Sequence, residues 1–258
     1  MTLNASPHVG LFVTCLVDLF RPSVAFAVIK LIEAGGARVE VPRAQTCCGQ
    51  PAYNCGDRKS AIAIARQVVE TFERFDYVVA PSGSCAGMLK LHYPRLLAGD
   101  PQFAERAESL GAKSFELTSF LTDVLGLKTV DAAFAGTVTY HDSCSALREL
   151  GVRDAPRRLL KTVRGLSLVE LGDASVCCGF GGAFSVKYPE ISTVILDAKL
   201  NDIAGTGART VVSSDLGCLM QIAGRLAREH APVEARHVAE VLAGMTDGPA
   251  IAAPQAAR

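Results

Sequence analysis

Val78-Val79-Ala80-Pro81-Ser82-Gly83-Ser84-Cys85 begins as an apolar, β-branched run, turns through proline, serine and glycine, and ends on a cysteine. About 130 residues later, Val211-Val212-Ser213-Ser214-Asp215-Leu216-Gly217-Cys218 does the same. Such a run reads as a short buried strand emptying into a loop. The same reading applies upstream in each half. Leu11-Phe12-Val13-Thr14-Cys15 corresponds to Thr139-Tyr140-His141-Asp142-Ser143-Cys144, and Cys47-Cys48-Gly49 corresponds to Cys177-Cys178-Gly179. Eight of the nine cysteines fall into this twofold pattern and only Cys55 is left over, so the chain is read as a duplicated structural unit.

Each half alternates strand and helix. Strands are expected at residues 9–14, 38–41 and 77–80, and again at 137–141, 166–171 and 210–213. Residues 20–34 have helical spacing and meet Gly35-Gly36, and Asp57 is placed to cap a helix running to about residue 75. Alternation of this kind implies parallel strands joined by crossovers. The fold class is therefore α/β, with two pseudo-symmetric repeats, each a small parallel sheet with flanking helices. The expected divisions are 1–130, 131–246 and a disordered tail at 247–258, with residues 100–111 and 131–136 as candidate linkers. Every patterned cysteine lies at or just beyond a strand's carboxyl end, the edge where open α/β sheets bind ligands.

Lys plus Arg equals Asp plus Glu at 26 each, which argues against nucleic acid or an anionic membrane as partner. No apolar run reaches the roughly 18 residues of a membrane span, and the start of the chain does not read as a secretory signal. A cytoplasmic location is expected, where thiols stay reduced and patterned cysteines serve metal binding or redox chemistry. Thiolates suit zinc, copper(I) or iron–sulfur clusters. Structural zinc usually draws on Cys-x2-Cys pairs, and the chain has none. Adjacent cysteines diverge and are more easily accommodated on different irons of a cluster. Gly49 and Gly179 let the backbone approach, so that amide N–H groups reach sulfur. Cluster ligation is the leading reading; zinc and plain buried thiols are the alternatives.

The doubled pattern resembles the cysteine-rich CCG domain of heterodisulfide reductase and of the glycolate oxidase iron–sulfur subunit. It is most similar to the lactate-utilisation protein A group, through Phe12-Val13-Thr14-Cys15, Thr46-Cys47-Cys48-Gly49-Gln50-Pro51-Ala52, Pro81-Ser82-Gly83-Ser84-Cys85, Leu117-Thr118-Ser119-Phe120, the stretch from Cys177 to Lys187, and His237-Val238-Ala239-Glu240-Val241-Leu242. The resemblance implies an iron–sulfur electron-transfer subunit, an oxidoreductase component active with partner subunits, in the oxidation of L-lactate to pyruvate. The implied partners are a ferredoxin-like iron–sulfur subunit and a third small subunit. Carried over, Cys15, Cys47, Cys48 and Cys85 hold one cluster, and Cys144, Cys177, Cys178 and Cys218 hold the other. In the reductase a fifth cysteine completes each site; Met88 and Gln221 stand there in this chain. Four thiolates suffice for a 4Fe-4S cluster, and the choice between cubane and non-cubane stays open. The alternatives are a heterodisulfide-reductase-like enzyme acting on a disulfide or other small substrate, and a non-redox metal-binding scaffold.

Further positions carry expectations. His141 is read as a satisfied loop histidine, with a hydrogen bond to the second cluster as the alternative. His237 is read as a helix cap or packing residue. The glycine-rich stretch from Gly179 to Phe184 is read as a turn around the second site, with Lys187 nearby. Cys55 is read as a spare thiol, with a fifth ligand beside Cys47-Cys48 as the alternative, and Met88 as core.

Overall fold

The computed structural model describes residues 6–253; residues 1–5, which hold most of the segment read for a signal, and 254–258 lie outside it. The chain divides after Leu127 into two units. In the first, strands β1 (His8–Leu11), β2 (Arg38–Glu40), β3 (Tyr77–Ala80) and β4 (Ser114–Glu116) form a wholly parallel sheet in the order β2-β1-β3-β4. In the second, β5 (Ala133–Tyr140), β6 (Arg164–Val169), β7 (Thr210–Ser213) and β8 (Glu234–His237) repeat that order as β6-β5-β7-β8, again parallel. Helices connect the strands, and β3 and β7 are buried along nearly their whole length. That is why both read as continuous apolar runs rather than alternating ones.

Helix boundaries follow local chemistry. A separate short helix that was not expected, Cys15–Phe20, precedes Pro22, and the helix expected at 20–34 starts only after it, as Ser23–Ala34. The second of these buries Val24, Ala27, Val28, Leu31 and Ile32, one face of a 3.6-residue period. Asp57 accepts a hydrogen bond from the Ser60 amide at 3.1 Å and caps Arg58–Phe72, which ends three residues before the expected point. Phe72 and Phe75 press on β1 at Gly10, where a Cβ would sit 2.6 Å from the Phe75 ring. The last strand of each unit ends in a capping side chain. Glu116 accepts from the amides of Thr118 and Ser119, and His237 Nδ1 accepts from the Ala239 amide, as the capping reading expected.

Three expectations are corrected. Residues 100–111 hold most of a helix, Ala104–Ala112, instead of a linker, and Gly111 packs so closely that a Cβ would lie 2.7 Å from the Lys90 carbonyl oxygen. Residues 131–136 likewise run into β5. Nor is the segment from Asp247 a free tail where it is described. Arg236 donates to the carbonyls of Thr246 and Gly248 at 3.0 Å each, and Ile251 bridges Ala235 antiparallel, which ties the segment to β8. Among the described residues no helix is long and apolar enough to cross a membrane.

The end of β5 is held by charge. Arg157 makes a two-pronged contact to Asp142 at 2.9 and 2.7 Å and reaches Glu170 at 2.9 Å. The Asp142 side chain is 0% exposed and that of Arg157 10%, so removing the arginine strands a buried carboxylate. Arg157→Met is expected to lower stability by about 3 kcal/mol. Arg164→Met, which breaks an open surface pair with Asp131, should change it by less than about 0.5 kcal/mol. Urea unfolding of both variants checks the contrast.

Candidate metal centre

In each unit the three loops that follow the first, second and third strands carry the thiols. Parallel strands in the order 2-1-3 reverse direction of winding between the first and third strands, and the crevice opens there. Cys15 starts the helix after β1, with Thr14 as its cap. Cys47 and Cys48 lie in the loop after β2. Cys85 sits in the first turn after β3, where its amide donates to Ser82 Oγ at 3.4 Å. Cys15 Sγ is 3.8 Å from Cys47 Sγ, and Cys48 Sγ is 3.3 Å from Cys85 Sγ. These separations are far beyond the ~2.05 Å of a disulfide, and all nine cysteines are free. The Gly49 amide donates to Cys47 Sγ at 3.4 Å, and the Tyr93 hydroxyl donates to the Cys48 carbonyl at 2.8 Å.

Such crowding sorts the protons. Hydrogen bonds from the Cys15 and then the Cys48 thiols, with help from the Gly49 amide, pull Cys47 down to about 2. Donating to that thiolate, together with burial, pushes Cys15 and Cys48 up. The second unit repeats the arrangement. The Gly179 amide donates to Cys177 Sγ at 3.3 Å, and bonds from Cys144 and then Cys178 draw Cys177 down to about 2. Each site is therefore a nest of sulfur donors organised around one favoured thiolate. That donor set fits a soft metal or an iron–sulfur cluster, whose cations would release the remaining thiol protons. In each nest two cysteines are fully buried (Cys48 with Cys85, Cys178 with Cys218), while Cys15, Cys47 and Cys177 are half-buried and Cys144 is exposed.

The residues around the thiols sort differently from expectation in one case. Cys55 is exposed at the end of the Gln50–Asn54 helix, and Met88 is buried in the core, the latter as read. Gln221, at the other fifth-cysteine position, donates to Ser192 Oγ at 3.0 Å. Ser192 in turn donates to the Gly179 carbonyl at 2.8 Å, so Gln221 braces the Cys-Cys-Gly turn. His141 is the correction. It is fully buried, and neither ring nitrogen has a hydrogen-bond partner among the described residues. One ring nitrogen, Cys178 Sγ and Cys218 Sγ all lie within 4.8 Å of one another. Burial, reinforced by the Lys199 ammonium, pushes its pKa down to about 3 and holds the ring neutral. An unpaired buried group of this kind costs about 1–3 kcal/mol, so His141 is not a satisfied loop residue. Its place three residues before Cys144 signals nearness to the second nest but not an unpaired ring, and no sequence signal marks Tyr93 or Ser192 as supports of the site.

The first nest opens to solvent. Cys15 and Cys47 stand in the wall of a cavity of about 530 Å³ rimmed by Leu19, Phe26, Val41 and Arg43. Leu19 and Phe26 are largely exposed there. In the second unit, Val186, Tyr188, Ile191 and Val194 form an exposed apolar stretch just beyond the turn that holds Cys177 and Cys178.

Comparison with known proteins matches the geometry. The cysteine-rich CCG domain is recognised at residues 9–90 and 138–223. Lactate utilization protein A of Geobacillus kaustophilus is 51% identical over 234 residues, covering 91% of this chain and 98% of that protein. The chain belongs to the lactate utilization protein A family. The Bacillus licheniformis relative of the same name is 47% identical over the same shares of both chains. The crystal structure of a hypothetical protein from Helicobacter pylori aligns with TM-score 0.65 over 95% of this chain and 50% of that one, at 10% identity, a likeness of fold.

The Cys-Cys-Gly turns of the two CCG domains differ in tolerance. Gly49 and Gly179 have φ of 75° and 78°. A Cβ on Gly49 would meet the Ile64 side chain at 3.2 Å, whereas on Gly179 it would meet the Ser192 carbonyl oxygen at 2.5 Å. Gly49→Ala is expected to cost about 1–2 kcal/mol through its left-handed backbone. Gly179→Ala should cost more and reduce metal retention by the second domain, read as metal content per chain after desalting.

Proposed function

We propose that this chain is an iron–sulfur electron-transfer subunit acting in the oxidation of L-lactate to pyruvate, holding two 4Fe-4S-type clusters. The observation that carries the reading is the twinned nest of four sulfur donors, each with a favoured thiolate and an amide aimed at it. The names of relatives near 50% identity supply the metabolic setting. When bound, such clusters supply reversible one-electron transfer.

The chain's own residues perform the rest. Cys15, Cys47, Cys48 and Cys85 hold the first cluster; Cys144, Cys177, Cys178 and Cys218 hold the second. The Gly49 and Gly179 amides donate toward sulfur and stabilise its negative charge. Buried Cys48, Cys85, Cys178 and Cys218 keep one side of each site dry, while the more exposed thiols leave the other side near solvent, where a redox partner can approach. The exposed apolar residues beside both sites suit docking of the ferredoxin-like subunit and the third small subunit, in the cytoplasm. A lactate loses two electrons, a number that two one-electron carriers in one chain can accept.

A cluster enzyme acting on a small disulfide is the second reading, favoured by the open cavity beside Cys15 and Cys47. Met88 and Gln221 in place of fifth cysteines weigh against it.

Iron and acid-labile sulfide on anaerobically prepared protein decide the matter. About eight of each per chain are expected. Cys48→Ser should retain about half, and Cys55→Ser all of it. Stoichiometric zinc, or no metal after anaerobic reconstitution, would overturn the proposal. Turnover of a disulfide by the isolated chain would favour the second reading.

A further inference from the structure

The two units place different side chains at one equivalent buried position. One residue beyond β1, the Phe12 amide donates to the Val79 carbonyl at 2.9 Å; one residue beyond β5, the His141 amide donates to the Val212 carbonyl at 2.8 Å. The strand registers agree, Leu11 opposite Val79 and Tyr140 opposite Val212. Phe12 and His141 are therefore counterparts, each three residues before the first cysteine of its nest. Phe12 packs on the Phe72 ring with centroids 5.5 Å apart. A phenyl ring satisfies that place in the first unit, so filling space does not require an imidazole in the second. Nor does His141 use its nitrogens to hold the protein together, since both lack a protein partner among the described residues.

We propose that His141 is a fifth protein ligand of the second metal centre, binding through a ring nitrogen beside Cys178 and Cys218. This rests on the reading of the nests as cluster sites. The three donor atoms already lie within 4.8 Å of one another and all three residues are buried. Imidazole nitrogen serves beside thiolate sulfur as a donor to cluster iron, and small side-chain adjustments bring this ring nitrogen into the sulfur set. The neutral imidazole contributes its lone pair and keeps its N–H, so no proton or electron changes hands. Its backbone is rigidly held: the next residue, Asp142, is clamped by Arg157. The first unit has Val13 at that place and no equivalent clamp of that residue among the described contacts. The two centres then differ in donor chemistry, sulfur alone in the first and sulfur with nitrogen in the second. Imidazole ligation is one of the levers by which a protein sets a cluster's potential.

The test is pulsed electron paramagnetic resonance of the full chain, assembled anaerobically and reduced, with natural-abundance and ¹⁵N-histidine protein compared. Iron and sulfide are measured on the same samples. The expected result is a strong nitrogen coupling on one of two cluster signals, altered by the ¹⁵N label. It should be lost in His141→Phe, which copies the first unit, while the other signal is unchanged. His141→Gln serves in its place if the phenylalanine variant does not fold. Two clusters' worth of iron with only weak nitrogen coupling would overturn the ligand assignment and leave the two-cluster reading standing, His141 then being at most a hydrogen-bond donor. A strong coupling that survives in the folded variant would also overturn it. Failure to take up iron would overturn both.

Discussion

Four thiols pressed together at one crevice repel one another as soon as more than one ionises, and two short sulfur–sulfur contacts already appear in the first unit. Much of the surrounding structure answers that constraint. The crevice exists because parallel strands wound in the order 2-1-3-4 open between the first and third. The adjacent Cys-Cys pair needs a left-handed glycine behind it so that the chain can turn back and give its amide to sulfur. Tyr93 on one side, and Gln221 with Ser192 on the other, hold those turns from behind. Without a cation the arrangement is a thiolate supported by its protonated neighbours; with one, every sulfur becomes a donor.

Duplication supplied the second site, and divergence is visible in what each copy places around an unchanged sulfur set. Phe12 gives way to His141, Val13 to Asp142 with its arginine clamp, Met88 to Gln221, and the capping Glu116 to the capping His237. The strand order and the Cys-Cys-Gly geometry do not change. The supports of the two sites have moved apart while the donors have not, as expected if both retain a ligand and differ in how they tune it.

Much of this was legible in the order of residues. Strands β3 and β7 agree with the reading to the residue, because both are buried on both faces and therefore continuously apolar. Strands β4 and β8 escaped it. Ser-Phe-Glu and Glu-Ala-Arg-His carry too few apolar residues to announce a strand, and their burial comes from tertiary packing. The grouping of the thiols was legible because the spacing recurs. The company they keep was not: Gln221 meets Ser192 across 29 residues, and His141 meets Cys178 and Cys218 only because β5, β6 and β7 end at one edge. The helix Ala104–Ala112 reads as a linker in sequence because it buries only Ala107, Leu110 and Gly111, too small a face to announce a period.

The segment that follows the last helix has a role of a different kind. An outermost strand of a sheet offers unpaired amides and carbonyls, and these invite another chain to add itself. On β8 the outward carbonyl of Ala235 is taken by the Ile251 amide at 2.9 Å, and Arg236 staples the approach through Thr246 and Gly248. The chain thus closes its own sheet margin with a short antiparallel bridge. One fewer margin is thereby left at which a copy of the chain could add itself as a further strand.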